Sequence, residues 1–319
     1  MEALENKLGQ AALKQGDVVG QVLALVKNGA LTQSEIAKES GVSPTALSRW
    51  LIGQYQGDND KINDALAKWL DARARQTGFL LPEEAGFVET RTAERIIKAL
   101  GYAQMAPDLA VIYGAAGLGK TRTLRHYGQT RNNVWIATIS PATATTAACL
   151  GQLCRATGIR GTRGKSAGEL RQSIADKIRE TRGLLVVDEA QHLSLAALET
   201  IRSIHDETEI GLALCGNEQV YSRLTGNGHG ALFAQLFSRI GKRVALSRTH
   251  ESDVEGIAAA YGVTETKAVA ELQRIARAPG ALRGVVKALR LAAMLATGDR
   301  QELAVAHINA AWKELGGVQ

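Results

Sequence analysis

Apolar residues recur along the chain with two different periods, and the change of period divides it. Between Thr32 and Leu51 the positions Ile36, Ala37, Val42, Leu47, Trp50 and Leu51 recur at spacings that bury one face between two short helices. From about residue 108 the pattern turns to brief apolar runs alternating with helical stretches. The runs are Leu109–Tyr113, Val134–Ile139, Leu184–Asp188, Gly211–Cys215 and Arg243–Ser247. Runs of this kind, apolar on both faces and separated by helices, predict the strands of a mostly parallel sheet. After Ser247 strand signals stop. The stretch 252–314 reads as helical, opening with a capping box in which Ser252 is followed three residues on by Glu255. Residues 73–87 break the helical pattern with Gly78, Pro82 and Gly86. The expected organisation is therefore a helical domain at 1–76, a linker at 77–88, an α/β core at 89–248 and a helical lid at 249–319.

The first domain carries start and stop signals at the right places. Thr32 and Glu35 make a capping box, Gly41 permits a sharp turn, and Ser43 caps a second helix with Pro44 at its first position. That order reads as a helix-turn-helix. Its second helix would offer Ser43, Thr45, Ala46, Ser48 and Arg49 to a DNA major groove. Arg49 is the only strong phosphate or guanine partner on that face, which argues against tight sequence-specific binding by one copy.

Composition adds limits. The 319 residues are 45% hydrophobic and 22% charged, an ordinary globular balance. Aromatics are only 4%, so the core rests mainly on Ala, Leu, Ile and Val. The net charge of +6 is unevenly spread. Residues 1–76 hold nine basic and nine acidic side chains, whereas 155–182 hold eight against three and 237–300 eleven against six. The lean towards an anionic partner thus lies outside the first domain. Within the α/β core, Arg160, Arg163 and Lys165 stand in a glycine-broken loop suited to tracking DNA phosphates without reading bases.

Three cysteines, none in a CxxC pair, suit a reducing compartment. The first 15 residues mix charges of both signs, and no apolar run approaches bilayer length. A cytoplasmic, non-membrane protein is expected. His192, His205 and His229 have no second ligand at a useful spacing and read as packing or loop residues rather than metal ligands.

The chemistry is carried by Gly114-Ala115-Ala116-Gly117-Leu118-Gly119-Lys120-Thr121, which fits G-x-x-x-x-G-K-[ST]. The apolar run before it and the helical pattern after it supply the order that phosphate binding requires. Glycines let backbone N–H groups turn inward around phosphate oxygens, and the helix start adds partial positive charge. Gly114, Gly117, Gly119, Lys120, Thr121 and Arg122 form the candidate ATP-binding stretch. Lys120 would reach the β and γ phosphates, and the Thr121 hydroxyl would hold Mg²⁺. Downstream, an apolar strand ends in Asp188-Glu189. Asp188 would serve the Mg²⁺ through its water shell, and Glu189 would orient and polarise the attacking water. A further strand ends in Asn217, placed to hold the same water from the other side.

Phosphate loop, Asp-Glu strand end, polar strand end and helical C-terminus together resemble the AAA+ ATPases. That resemblance implies an α/β P-loop NTPase with a five-stranded parallel sheet and a helical lid, here preceded by an all-α helix-turn-helix domain. It implies that Arg239 is an arginine finger supplied to a neighbouring subunit's nucleotide, with Arg243 as the runner-up. It also implies that Arg283, opening a lid helix at Gly280-Ala281-Leu282-Arg283, reaches back to the γ-phosphate. Many such loops carry a proline where Ala115-Ala116 stand here; contacts by backbone do not depend on it.

The order of parts narrows the likeness. The helix-turn-helix, GQYQGDND, FVET at Phe87–Thr90, the GLGKT loop, NNVW at Asn132–Trp135, LFSRIGKR and GALR…LRLAAM together resemble the phage Mu transposition protein B family. The resemblance implies an ATP- and Mg²⁺-dependent protein that assembles as a helical filament on double-stranded target DNA and delivers it to a transposase. It further implies that the transposase triggers hydrolysis and filament loss, which spares DNA near the element (target immunity). The residues by themselves also admit a sequence-specific transcription regulator with a nucleotide-sensing domain, or a helicase-loader-type ATPase.

Overall fold

The computed structural model describes residues 18–28, 31–78, 86–225 and 239–317. The chain divides into two compact units, Met1–Leu81 and Pro82–Gln319. The expected linker at 77–88 falls largely outside the described residues, as do His229 and the residues just before Arg239.

The described residues of the first unit form helices joined by short turns: α1 (18–27), α2 (Gln33–Ser40), α3 (Pro44–Leu51) and α4 (Asn59–Gly78). The capping box at α2 is formed, with the Thr32 N–H donating to Glu35 Oε2 at 2.8 Å and the Glu35 N–H to Thr32 Oγ1 at 3.3 Å. Gly41 takes φ 73, the left-handed turn that a side chain would resist. Ser43 then caps α3 by accepting from the Ala46 N–H at 3.2 Å. Val22, Ile36, Leu47, Trp50 and Leu66 fill the core, so the apolar spacing is spent on packing.

In the second unit α5 (Arg91–Met105) precedes β1 (Leu109–Gly114), which feeds α6 (Lys120–Thr130). Then come β2 (Val134–Thr138), α7 (Thr146–Ala156), α8 (Ala167–Ile178), β3 (Leu184–Asp188), α9 (Leu195–Thr208) and β4 (Gly211–Gly216). After α10 (Glu218–Thr225) and β5 (Ile240–Leu246), α11 (Glu251–Ala260), α12 (Thr266–Arg277), α13 (Ala281–Gly298) and α14 (Val305–Glu314) complete the described elements. The five strands are parallel in the order β2-β3-β4-β1-β5.

Alternation along each strand divides the apolar side chains between two cores. Leu109, Val111, Leu185, Val187, Leu212 and Leu214 face one, beside the residues of α7–α9. Ala110, Ile112, Leu184, Val186, Ala213 and Cys215 face the other, beside Ile96, Leu100 and Leu124 of α5 and α6. All three cysteines are free and buried, and burial pushes the Cys149 thiol up to about 11. His205 is also buried, its Nδ1 2.7 Å from the Ile210 carbonyl, and serves packing. A third cluster built around Leu272, Val285 and Leu289 holds the C-terminal helices together.

Two elements start elsewhere than the sequence predicts. The last strand begins at Ile240, not Arg243, pairing Ile240 with Leu109 before a register shift. It is an edge strand whose first four residues are incompletely covered, so it lacks the apolar run that marks a central strand. Ser252 does not cap: α11 starts at Glu251 with His250 as its N-cap residue. Packing of Val254 and Ile257, with Asp253 wholly buried, fixes the helix phase instead.

Candidate active site

Parallel pairing brings the C-terminal ends of β1, β4 and β3 to one edge of the sheet, where ligands of open α/β sheets bind. Register places Ile112 beside Cys215 and Tyr113 beside Gly216, with β3 on the far side of β4. The phosphate loop therefore emerges one strand away from Cys215 and two strands away from Asp188.

The loop needs its glycines. Gly114, Gly117 and Gly119 have φ of 149, 84 and 84. A Cβ at Gly114 would sit 2.0 Å from the Leu246 carbonyl oxygen, and one at Gly117 2.0 Å from that of Gly280. Gly119 begins α6 with no side-chain cap, so the helix start offers N–H groups to an anion. Lys120 folds back over the loop, its Nζ donating to the Gly114 and Ala115 carbonyls at 2.8 Å each. Burial holds its pKa below the usual lysine range, although the nearby Cys215, Glu189 and Asp188 oppose that shift. These donors fit a triphosphate. The arrangement supplies a positive, backbone-lined cradle and no carboxylate within the loop itself.

Thr121 and Asp188 meet across 67 residues of sequence, the Thr121 hydroxyl donating to Asp188 Oδ2 at 2.7 Å. Asp188 is 1% exposed. Burial raises its pKa, against hydrogen bonds from Thr121, the Glu189 N–H and the Cys215 thiol. An oxygen pair of this kind, one hydroxyl and one desolvated carboxylate, fits a hard divalent cation such as Mg²⁺. Burial, with the same carboxylate beside it, pushes the Cys215 thiol well above its ordinary value.

Glu189 follows Asp188 with φ 56, a left-handed conformation that non-glycine residues adopt at some cost. Its Oε2 accepts a hydrogen bond from Gln191 Nε2. Gln191 Oε1 in turn accepts from the Asn217 N–H at 3.2 Å. The Asn217 Oδ1 is engaged as a cap for α10, accepting from the Gln219 N–H at 2.9 Å.

The remaining candidates are spread around this centre. Arg122 lies exposed on the first turn of α6 and donates to the Gly86 carbonyl at 3.2 Å. The Arg283 N–H donates to the Gly117 carbonyl at 3.2 Å, and the Arg283 charge is felt at Lys120. Arg239 stands at the opposite end of the sheet, where its carbonyl accepts from the Leu109 N–H at 3.1 Å and its guanidinium pairs with Asp206 at 2.8 Å. Arg243 lies mid-strand, donating to the Tyr221 hydroxyl at 2.8 Å. Arg160, Arg163 and Lys165 are exposed between α7 and α8, while Ser43, Thr45, Ser48 and Arg49 are exposed on α3. Among the described residues no cluster of His, Cys, Asp and Glu could hold a further metal, and no helix is long and apolar enough to cross a membrane.

Three residues escaped sequence reasoning. Gln191 and Cys215 act through hydrogen bonds that no motif announces. Asp253, fully buried, accepts from the Thr92 N–H at 3.2 Å and from the Thr92 hydroxyl, joining the C-terminal helices to the start of α5. A charged residue inside an otherwise apolar helical face was the available signal.

Residues 103–224 match the family described as an AAA domain, and residues 238–315 match the family described as Mu B transposition protein, C terminal. The ATP-dependent target DNA activator B of Escherichia phage Mu is 38% identical over 299 residues, 94% of this chain and 95% of that protein. The Mu-like prophage FluMu DNA transposition protein B of Haemophilus influenzae is 36% identical over 255 residues, 79% and 88% of the two chains. Among solved structures, the Aeropyrum pernix ORC1 protein in complex with DNA superposes with a TM-score of 0.55 at 21% identity, covering 74% of this chain and 68% of that one, a likeness of fold alone. An AAA+ ATPase core with a phosphate loop at the C-terminal end of β1, continuous with a matching C-terminal region, places the chain in the Mu B transposition protein family.

Proposed function

We propose that the protein binds Mg²⁺–ATP at the loop 114–121, assembles as a filament on double-stranded target DNA, and hands that DNA to a transposase. The observation that carries the assembly is the place of Arg239. Its carbonyl is bonded at the start of β1, whereas the phosphate loop leaves the end of that strand. Five residue steps of parallel strand separate the two by ~16 Å, beyond the reach of an arginine side chain. Arg239 therefore does not reach its own subunit's nucleotide, which supports the reading that it serves a neighbour's and makes hydrolysis conditional on assembly, with Arg243 as the runner-up. Asp206 keeps its guanidinium oriented until then.

Within one subunit, Lys120 and the N–H groups at the head of α6 neutralise the phosphates, and Arg283 adds charge from the lid. Thr121 and Asp188 would hold Mg²⁺, which would supply charge stabilisation to the phosphates. Glu189 and the Asn217 Nδ2 position water. For DNA, the exposed Arg160, Arg163 and Lys165 meet phosphates, and α3 presents Ser43, Thr45, Ser48 and Arg49. The relatives' names, with target DNA activation and DNA transposition in them, support this partner. The working division is a DNA-reading domain at 1–76, a linker at 77–88, a core at 89–248 and a lid at 249–319, acting in the host cytoplasm.

Electron microscopy of the protein on duplex DNA with and without ATP tests the proposal. Continuous coverage that needs ATP is expected, with affinity falling steeply as salt rises. Single bound copies regardless of nucleotide would sink it.

A further inference from the structure

Gln191 stands between the two strand ends that the reaction uses. It lies in the short turn after β3, with its Nε2 donating to Glu189 Oε2 and its Oε1 accepting the Asn217 N–H at 3.2 Å. These partners settle which end of the amide is which, since a carboxylate only accepts and an N–H only donates. The neighbouring backbone is shaped around it: a Cβ at Gly216 would lie 2.1 Å from Gln191 Oε1. A side chain there would have to displace the Gln191 amide and also Val220, whose Cγ2 would lie 2.6 Å away.

We infer that Gln191 is a positioning residue for hydrolysis, setting the Glu189 carboxylate in register with the β4 end so that Glu189 and Asn217 present to one water. Glu189 departs from β3 in a left-handed conformation, so its side chain leaves the sheet in a direction that the strand does not fix. The tether to Gln191 fixes it. Only a primary amide of this length donates to the carboxylate and accepts from the strand end together. A carboxylate at position 191 would oppose Glu189, and an aliphatic side chain would release it. The inference rests on the reading of Glu189 as the residue that polarises water.

The test is steady-state ATP hydrolysis by the full chain with duplex DNA and Mg²⁺, comparing wild type with Gln191→Ala, Gln191→Leu, Gln191→Glu and Glu189→Gln. Misplacement of a group by about 1 Å can cost ~100-fold in rate, so Gln191→Ala and Gln191→Leu are expected to lose roughly tenfold to a hundredfold in kcat. Their KM for ATP, and their affinity for a fluorescent ATP analogue, should stay within about twofold of wild type. Gln191→Glu adds a readout that a packing role would not give. The isosteric carboxylate opposes Glu189, so this variant should lose at least as much kcat as Gln191→Ala while its melting temperature and KM for ATP stay near wild type, whereas a space-filling role would leave its kcat near wild type. Wild-type kcat in Gln191→Ala and Gln191→Leu, with Glu189→Gln inactive, would overturn the tether alone. Loss of nucleotide affinity in step with kcat would also overturn it, marking Gln191 as structural. An active Glu189→Gln would instead remove the reading on which the tether stands.

Discussion

The Arg283 N–H donates to the carbonyl of Gly117 at 3.2 Å, so the first turn of α13 rests directly on the phosphate loop. Gly117 is also where a Cβ would meet the Gly280 carbonyl at 2.0 Å. Loop and lid are thus in backbone contact, with no side chain between them to absorb a change.

Gly117→Ala should therefore separate them. The left-handed φ costs an L-residue roughly 1–2 kcal/mol, and the added methyl forces the lid away from the loop. Titration with a fluorescent ATP analogue should show at least tenfold weaker binding. Wild-type affinity would mean that the lid tolerates displacement.

Asp253→Ala tests the second join between lid and core. It leaves the Thr92 N–H and hydroxyl buried without a partner, at a cost of about 1–3 kcal/mol. For a domain of this size each kcal/mol lowers the melting temperature by about 2–4 °C. An unchanged melting curve would show that Asp253 contributes no more than packing.

Lys120→Ala and Glu189→Gln should fail differently. Removal of the lysine takes away the charge facing the β and γ phosphates, so nucleotide binding and assembly on DNA should both drop. The Glu189→Gln protein should bind ATP and DNA but turn over at least 100-fold more slowly, leaving persistent assemblies. Binding isotherms beside a phosphate-release assay separate the two.

Arg239→Ala should leave ATP binding by dilute subunits intact and abolish hydrolysis stimulated by assembly, a loss of about 10³-fold or more for an arginine finger. Normal stimulated turnover would move the finger to Arg243 or elsewhere.

The raised pKa of Asp188 makes stability depend on pH in a defined direction. Burial lets the folded state keep this proton at a pH where the unfolded chain has released it. The nucleotide-free protein should lose stability as pH rises from the ordinary carboxylate range through the raised value, and remain penalised above it. Asp188→Asn should remove that part of the slope and melt at or above the wild-type temperature at neutral pH, while Mg²⁺ no longer tightens nucleotide binding. A variant less stable than wild type at neutral pH would mean that the charged form is favoured in the fold.

By itself the sequence determined what near neighbours decide: the capping box at Thr32, the turn at Gly41, the buried strands and the phosphate loop. Each depends on residues within a few positions of one another, through periodicity, caps and backbone freedom. It also held the chemistry, since Lys120, Thr121, Asp188 and Glu189 stand in recognisable order. Tertiary structure alone decided how these act together. Thr121 reaches Asp188 across 67 residues, and Thr92 reaches Asp253 across 161. Gln191 links Glu189 to Asn217 only because β3 and β4 are neighbours in the sheet. The edge strand β5 and the start of α11 were misplaced by a few residues for the same reason. Their limits are set by what packs against them, and a linear pattern carries no record of which distant surface that will be.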